Sequence, residues 1–224
     1  MTDVTTTQPS RPPRHPRADG ARTRAAILRT AAALATTDGL EGLSIGNLAA
    51  ATGISKSGLY AHFGSKQDLQ LATVEEAERI LTAEVIGPAL AAPAGLGQLA
   101  AACEAYFSYI ERRVFPGGCF FAATALEMGT RPGPVKDRVA AITAGFTALL
   151  ASFAATAIGQ HELPARDDPG RLAFELHAIL LGADTKFVLT DDPAVLDLAR
   201  QVVRQRLGLD HGTNPGQAGP AQQA

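Results

Sequence analysis

Residues 55–66 carry a set of side chains whose chemistry suits double-stranded DNA. Hydroxyl, ammonium and imidazole groups follow one another at Ser55, Lys56, Ser57, Tyr60, His62 and Lys66. An ammonium group neutralises a phosphate, and hydroxyl groups hydrogen-bond to phosphate oxygens or base edges. Gly58, within the same stretch, allows a helix backbone to come close to a groove. These residue types indicate a surface that reads DNA.

Three of these residues also have a purely structural interpretation. Tyr60 could be a core aromatic, His62 a surface histidine without a role, and Lys66 a solvated lysine. We favour DNA contact, because Tyr60 and His62 follow Lys56 on one short helix. Lys66 begins the next helix, where backbone amides attract the same anion. Phe63, by contrast, is assigned to the core.

Two short helices and a tight turn must position these side chains. Ser44 is a good N-cap for a helix to Ala51, and Ser55 caps a second helix that ends at Gly64. Between them, Gly53 allows a backbone bend that residues with a Cβ resist. A helix over 22–37 precedes this pair, and a fourth helix starts at Ser65 and runs toward Val85. The pattern is typical of a helix-turn-helix.

The rest of the chain is also predicted to be helical, so the expected fold class is all-α. The expected fold is a three-helix DNA-binding bundle with a helix-turn-helix, followed by a larger C-terminal helical domain for ligand binding and dimerisation. Prolines at 134, 169 and 193 suit the first turn of a helix. The predicted helices beyond Gly87-Pro88 are Leu96–Phe115, Phe120–Gly129, Pro134–Ile158, Pro169–Thr190 and Pro193–Gly208.

Composition and charge divide the chain of 224 residues, which is 46% hydrophobic. Residues 1–66 contain eight Arg and Lys against four Asp and Glu, whereas the whole chain has a net charge of −2. We predict a disordered basic arm (1–20), a DNA-binding domain (21–81), a ligand-binding and dimerisation domain (82–209) and a disordered tail (210–224). No secretory signal or membrane span is expected, which makes the cytoplasm the default location.

The stretch from Leu43 to Leu69, LSIGNLAAATGISKSGLYAHFGSKQDL, closely resembles the DNA-binding domain of the tetracycline-repressor (TetR) family. The resemblance covers residues 21–81 and is most specific from Ser44 onward. It implies a dimer that inserts its third helix into the major groove and leaves its operator when a small ligand binds. The DNA contacts that it implies are Arg22, Ser44, Ser55, Lys56, Ser57, Gly58, Tyr60, His62 and Lys66.

Two residues depart from the family pattern. Gly46 lies inside the second helix, where the family usually has a larger residue, and should weaken that helix by roughly 1 kcal/mol relative to Ala. Ala61 removes one possible DNA contact. Both departures leave the operator sequence open.

Broad apolar stripes over 169–190 and 193–208 predict a four-helix dimer interface through residues 169–208, with packing inside one subunit as the alternative. The middle helices supply candidates for a pocket that would take a small apolar effector, although each could be plain core. These pocket candidates are Tyr106, Phe107, Ile110, Cys119, Phe120, Met128, Phe146, Leu150 and Phe153.

Metal-binding and phosphate-binding patterns are absent from the sequence. It contains no phosphate-binding loop, and His177 and Asp184 lack the further ligands that a metal needs. We therefore expect no enzyme, no cofactor and no metal site. The leading hypothesis is a ligand-responsive transcriptional regulator, a repressor that a small apolar molecule releases from a palindromic operator. The alternative is a DNA-binding dimer with no small-molecule ligand.

Overall fold

The computed structural model describes residues 16–210, and within them the chain forms α-helices and no strand. The predicted all-α fold class is confirmed. The helices are α1 (Pro16–Asp38), α2 (Ile45–Thr52), α3 (Lys56–Tyr60), α4 (Lys66–Leu81), α5 (Gly87–Ala91), α6 (Leu96–Glu111), α7 (Phe120–Met128), α8 (Pro134–Gly159), α9 (Pro169–Thr190) and α10 (Ala194–Arg206).

The first helix begins earlier than predicted. It starts at Pro16 rather than at Arg22, so residues 16–20, assigned above to the disordered arm, have a helical backbone. A proline is compatible with the first helical position, because the N–H that it lacks would have no partner there. The remainder of the predicted arm, 1–15, and the predicted tail beyond residue 210 lie outside the described residues.

The fourth helix does not end before Gly87-Pro88. It passes through a π-helical turn, Thr82–Ile86, directly into α5. The Gly87 N–H bonds to the Thr82 carbonyl, five residues back. Pro88 has no N–H and its ring would clash with a carbonyl in a regular α-helix, so the wider turn lets the helix continue past it.

The first four helices surround a shared core. α1 packs against α2 and α4, and α2 packs against α3. Leu48 and Leu59 are fully buried between these helices, and Phe63 is 2% exposed, as predicted for a core aromatic. The Arg24 guanidinium covers the Phe63 ring, 5.3 Å from its centroid.

Two polar contacts fix this bundle against the body of the protein. The Gly117 N–H donates to Thr36 Oγ1 at 3.1 Å, from the loop between α6 and α7 to the end of α1. The Glu127 carboxylate, in α7, accepts from the backbone N–H groups of Leu40 (2.7 Å) and Glu41 (2.8 Å), which precede α2. The position of α7 therefore determines where the loop before α2 lies.

One helix of the described residues, α8, is long and apolar enough to cross a membrane by length and composition. It packs against α4, α6, α7 and α9, as the core helix of a globular protein does. Its other face is exposed and carries no charge over residues 139–160. We call that exposed face the α8 stripe: Ala140, Ala141, Ala144, Ala148, Ser152, Ala155 and Gly159.

Candidate DNA-binding surface and ligand cavity

Serine hydroxyls start the helices of the predicted reading motif. Ser44 Oγ accepts from the Asn47 N–H at 3.2 Å, and Ser55 Oγ accepts from the Gly58 N–H at 3.1 Å. Each hydroxyl satisfies an N–H that the first turn of a helix would otherwise leave unpaired. Ser44 and Ser55 thus have a structural role beside the DNA contact predicted for them.

Glycines shape the turn and the start of α3. Gly53 adopts the left-handed conformation (φ 70°, ψ 7°), and its N–H bonds to the Ala49 carbonyl and ends α2. At Gly58 a Cβ would lie 3.1 Å from Ile54 Cγ2 and 3.2 Å from Ser55 Oγ. Gly58 therefore fits closely against the start of its own helix, a constraint separate from the predicted approach to DNA.

The outer face of α3 presents the predicted contact residues to solvent. Lys56 and Ser57 are exposed, and Tyr60 is 62% exposed, which excludes Tyr60 as a core aromatic. His62 is half-buried, with its ring 6.2 Å from that of Phe63. Arg22 is exposed and lies within α1.

A groove of about 310 Å³ brings Ser44, Lys56, Tyr60 and Lys66 together. Two ammonium groups and two hydroxyl groups from α2, α3 and α4 thus line one concave surface. This is the donor set that a backbone phosphate accepts.

Lys66 has a partner inside the protein. Its Nζ donates to the Glu41 carbonyl oxygen at 2.6 Å and to Glu41 Oε1 at 2.7 Å. The hydrogen bond from Lys66, with a further one from Gln70, lowers the pKa of the Glu41 carboxyl. A phosphate that binds Lys66 would compete with Glu41 for this ammonium group.

A cavity of about 490 Å³ lies in the body, between α4, α6, α7, α8 and α9. Leu126 and Leu189 line it and are 82% and 83% exposed, so it opens to the surface beside them. The lining residues are Leu81, Tyr106, Cys119, Phe121, Ala122, Ala125, Leu126, Ile142, Thr143, Phe146, His177, Leu181, Gly182, Thr185, Lys186 and Leu189.

Three of the nine predicted pocket residues, Tyr106, Cys119 and Phe146, line this cavity. Periodicity indicates that a residue is buried but not whether its neighbours leave space beside it. The other six pack into the core away from the cavity lining: Phe107, Ile110, Phe120, Met128, Leu150 and Phe153.

The contribution of α9 to the cavity was missed by the sequence analysis, which used that helix only for the dimer interface. Six lining residues come from it: His177, Leu181, Gly182, Thr185, Lys186 and Leu189. The signal was the width of its apolar stripe, which exceeds what one neighbouring helix covers. His177 Nδ1 lies 2.8 Å from Thr147 Oγ1, and burial lowers the pKa of this imidazole.

A buried carboxylate lies behind the cavity wall. Asp184 is 3% exposed, and its oxygens accept from the Cys119 N–H at 3.1 and 3.2 Å. Burial, only partly offset by that hydrogen bond and by the charge of Arg113, raises the pKa of Asp184 from 3.8 to about 6. Asp184 thereby ties Cys119, the residue that precedes α7, to α9.

Replacement of this carboxyl by an amide is expected to stabilise the protein at high pH. The native state binds the Asp184 proton more tightly than the unfolded chain, so its stabilising contribution is present below about pH 4 and is lost as pH rises through about 6. Asp184→Asn can still accept from Cys119. At pH 8 it should exceed the wild type by about 1–3 kcal/mol, and the gap should close toward pH 5. Urea unfolding at both pH values measures this; a gap independent of pH would contradict it.

The exposed α3, the turn at Gly53 and the groove of cationic and hydroxyl groups define a helix-turn-helix DNA-binding protein. Residues 27–73 match the family described as bacterial regulatory proteins, tetR family, and residues 95–203 match the tetracyclin repressor-like C-terminal domain. No curated protein matches the sequence. The chain belongs to the TetR family of DNA-binding transcriptional regulators.

Solved structures of the family superpose on most of the chain. A TetR transcriptional regulator from Chloroflexus aurantiacus is 27% identical, with a TM-score of 0.79 over 85% of this chain and 96% of that one. A TetR-family regulator from Streptomyces coelicolor is 25% identical, with a TM-score of 0.72 over 85% and 95%. AibR, solved with isovaleryl coenzyme A and operator DNA, is 23% identical, with a TM-score of 0.64 over 81% and 97%.

Proposed function

We propose that the protein is a dimeric, ligand-responsive repressor, which leaves a palindromic operator in the cytoplasm when a small apolar molecule binds. It acts by binding alone, without turnover. The observation that carries the proposal is the combination of a reading surface on α3 with a cavity of about 490 Å³ in the same chain. AibR, which shares the fold, binds both operator DNA and an acyl-coenzyme A, and this supports the pairing of the two sites.

The domain division serves this function. Residues 21–81 supply the reading surface, and residues 82–209 supply the dimer contacts and, with Leu81 of α4, the cavity. A DNA-binding dimer without a ligand is the second possibility that we considered. The cavity favours the first, because a domain used only for dimerisation has no need of an apolar space open to solvent.

The dimer interface is proposed to lie on α8 and α9. Compared with the predicted interface over 169–208, this keeps α9 and replaces α10 by α8. The α8 stripe carries no charge, and beside it α9 exposes Phe174 (71%) and Leu189 (83%). In contrast, α10 is bound to the body by ion pairs of Arg200 with Glu104 and Glu111. Two α8–α9 pairs from two subunits would bury the uncharged α8 stripe and the exposed apolar side chains of α9 in a four-helix bundle.

Ligand and operator are coupled through α4 and α7. Leu81 of α4 and Ala122 and Ala125 of α7 line the cavity, while Glu127 of α7 holds the loop before α2. A ligand that shifts either helix moves α3, and two copies of α3 must fit major grooves about 34 Å apart. The resulting coupling is typically about 1–3 kcal/mol, and by reciprocity operator DNA weakens ligand binding by the same factor.

Selection of genomic fragments bound by the purified protein tests the proposed function. The bound fragments should share a palindrome whose half-site centres lie one helical turn, or a multiple of it, apart. Compounds that bind the cavity should then release the selected operator. Fragments without a shared sequence would contradict a specific regulator, and compounds that bind without effect on the operator would favour the ligand-free alternative.

Lys66→Ala is expected to weaken binding to operator and to unrelated DNA alike. If the ammonium exchanges Glu41 for a phosphate, the slope of log K against log salt falls by about one. Lys136→Ala, on α8, is the matched control and should leave the slope unchanged. Fluorescence anisotropy over a salt series measures both. A wild-type slope in Lys66→Ala would show that Lys66 stays with Glu41.

A further inference from the structure

Two tyrosine hydroxyls in the body, those of Tyr106 and Tyr109, make no hydrogen bond of regular geometry among the described residues. The Cys119 thiol is close to both. Their side chains are 2% and 1% exposed. Buried hydroxyl groups are nearly always paired, so each of these needs an explanation. Tyr106 lines the cavity, whereas Tyr109 does not. Of the two residues, only Tyr106 could therefore meet a molecule in the cavity.

The cavity-lining groups around Tyr106 carry no charge. Its ring stacks on Phe146, with the centroids 6.3 Å apart. The Cys119 thiol is its polar neighbour, and burial raises the pKa of that thiol to about 11, so it stays protonated. His177, half-buried in the same lining, has a pKa lowered by burial and is neutral at physiological pH.

Charge around the cavity disfavours an anionic group beside Tyr106. The Asp184 carboxylate lies directly behind the wall, bonded to the N–H of Cys119. Lys186 is the single Lys or Arg in the lining, and it is exposed. An anion next to Tyr106 would thus be buried near a carboxylate and without a buried cation to pair with, which is costly.

We propose that the cavity takes an uncharged amphiphile, an apolar molecule with one hydroxyl or carbonyl group that hydrogen-bonds to the Tyr106 hydroxyl. This inference rests on the proposed ligand-responsive function and adds the chemical class of the effector. The apolar part occupies the space lined by Phe121, Ile142 and Phe146. The cavity volume lies within the roughly 300–1,000 Å³ that small-molecule sites usually have.

Three probes of one shape test the inference: 4-propylphenol, propylbenzene and 4-propylbenzoate, titrated calorimetrically into the full chain. The wild type should bind the phenol about tenfold more tightly than propylbenzene, the usual effect of one neutral hydrogen bond. The benzoate should bind most weakly. Tyr106→Phe should abolish the preference for the phenol over propylbenzene, and Tyr109→Phe, the matched control, should keep it.

The outcomes separate this inference from the proposed function. Equal affinity of the wild type for phenol and propylbenzene, a preference retained in Tyr106→Phe, or tightest binding of the benzoate would overturn the chemical class and leave an apolar ligand site. If none of the three probes binds up to its solubility, both the class and the accessible cavity are overturned.

Discussion

Ala148→Arg is expected to give a monomer at micromolar concentration and to lower operator affinity by about a hundredfold or more. Ala148 is exposed at the middle of the α8 stripe, so the isolated subunit accommodates the longer side chain. In the proposed bundle the guanidinium would be buried against an uncharged partner, which is strongly unfavourable. A monomer contacts only one half-site, so it loses the gain in affinity that two linked contacts give. Sedimentation velocity and anisotropy measure the two effects.

Leu198→Arg distinguishes the interface proposed here from one that includes α10. Leu198 is 57% exposed on α10, so this variant places the same charge on the other helix. It should remain a dimer with wild-type operator affinity. A dimeric Ala148→Arg protein, or a monomeric Leu198→Arg protein, would place the interface elsewhere.

Glu127→Ala should both destabilise the fold and weaken operator binding. The carboxylate accepts from two backbone N–H groups, at 2.7 and 2.8 Å, across the junction of the bundle and the body. Hydrogen bonds to a charged group contribute about 1.5–3 kcal/mol each, and the site is partly solvated, so a total loss of about 2–4 kcal/mol is expected. Gly39, where a Cβ would lie 2.8 Å from Glu127 Oε1, permits this close approach.

The matched control for that variant is Glu162→Ala. Glu162 also accepts from a backbone N–H, that of Leu96 at 2.8 Å, but this contact lies within the body. It should cost some stability and leave operator affinity and ligand release unchanged. Urea unfolding and operator titration of both variants make the comparison. Wild-type operator affinity in Glu127→Ala would show that α7 does not hold the reading helix in place.

Local chemistry explains why the reading motif could be predicted from the sequence. N-caps and glycine turns are formed by residues three or four apart, so Ser44, Gly53 and Ser55 specify both ends of α2 and the start of α3 whatever packs around them. The predicted end of α3 at Gly64 was wrong, since the helix ends at Tyr60. Helical periodicity in the same way indicated the buried faces and the all-α class. The predicted start of α1 and the predicted end of the fourth helix before Gly87-Pro88 were wrong, because a proline limits a helix only where its ring meets a carbonyl.

Only the tertiary structure decided what those faces contact. Whether Tyr106 or its neighbour Phe107 borders a cavity depends on how α6 meets α8 and α9, which the pattern along one helix does not encode. The pairing of Lys66 with Glu41 likewise joins residues that are distant in sequence and compatible with many other partners. The sequence by itself determined the reading motif, most of the helices and which of their faces are apolar, since these depend on short-range order. The cavity, the Glu127 contact and the uncharged outer face of α8 depend on helix packing, and only the three-dimensional arrangement reveals them.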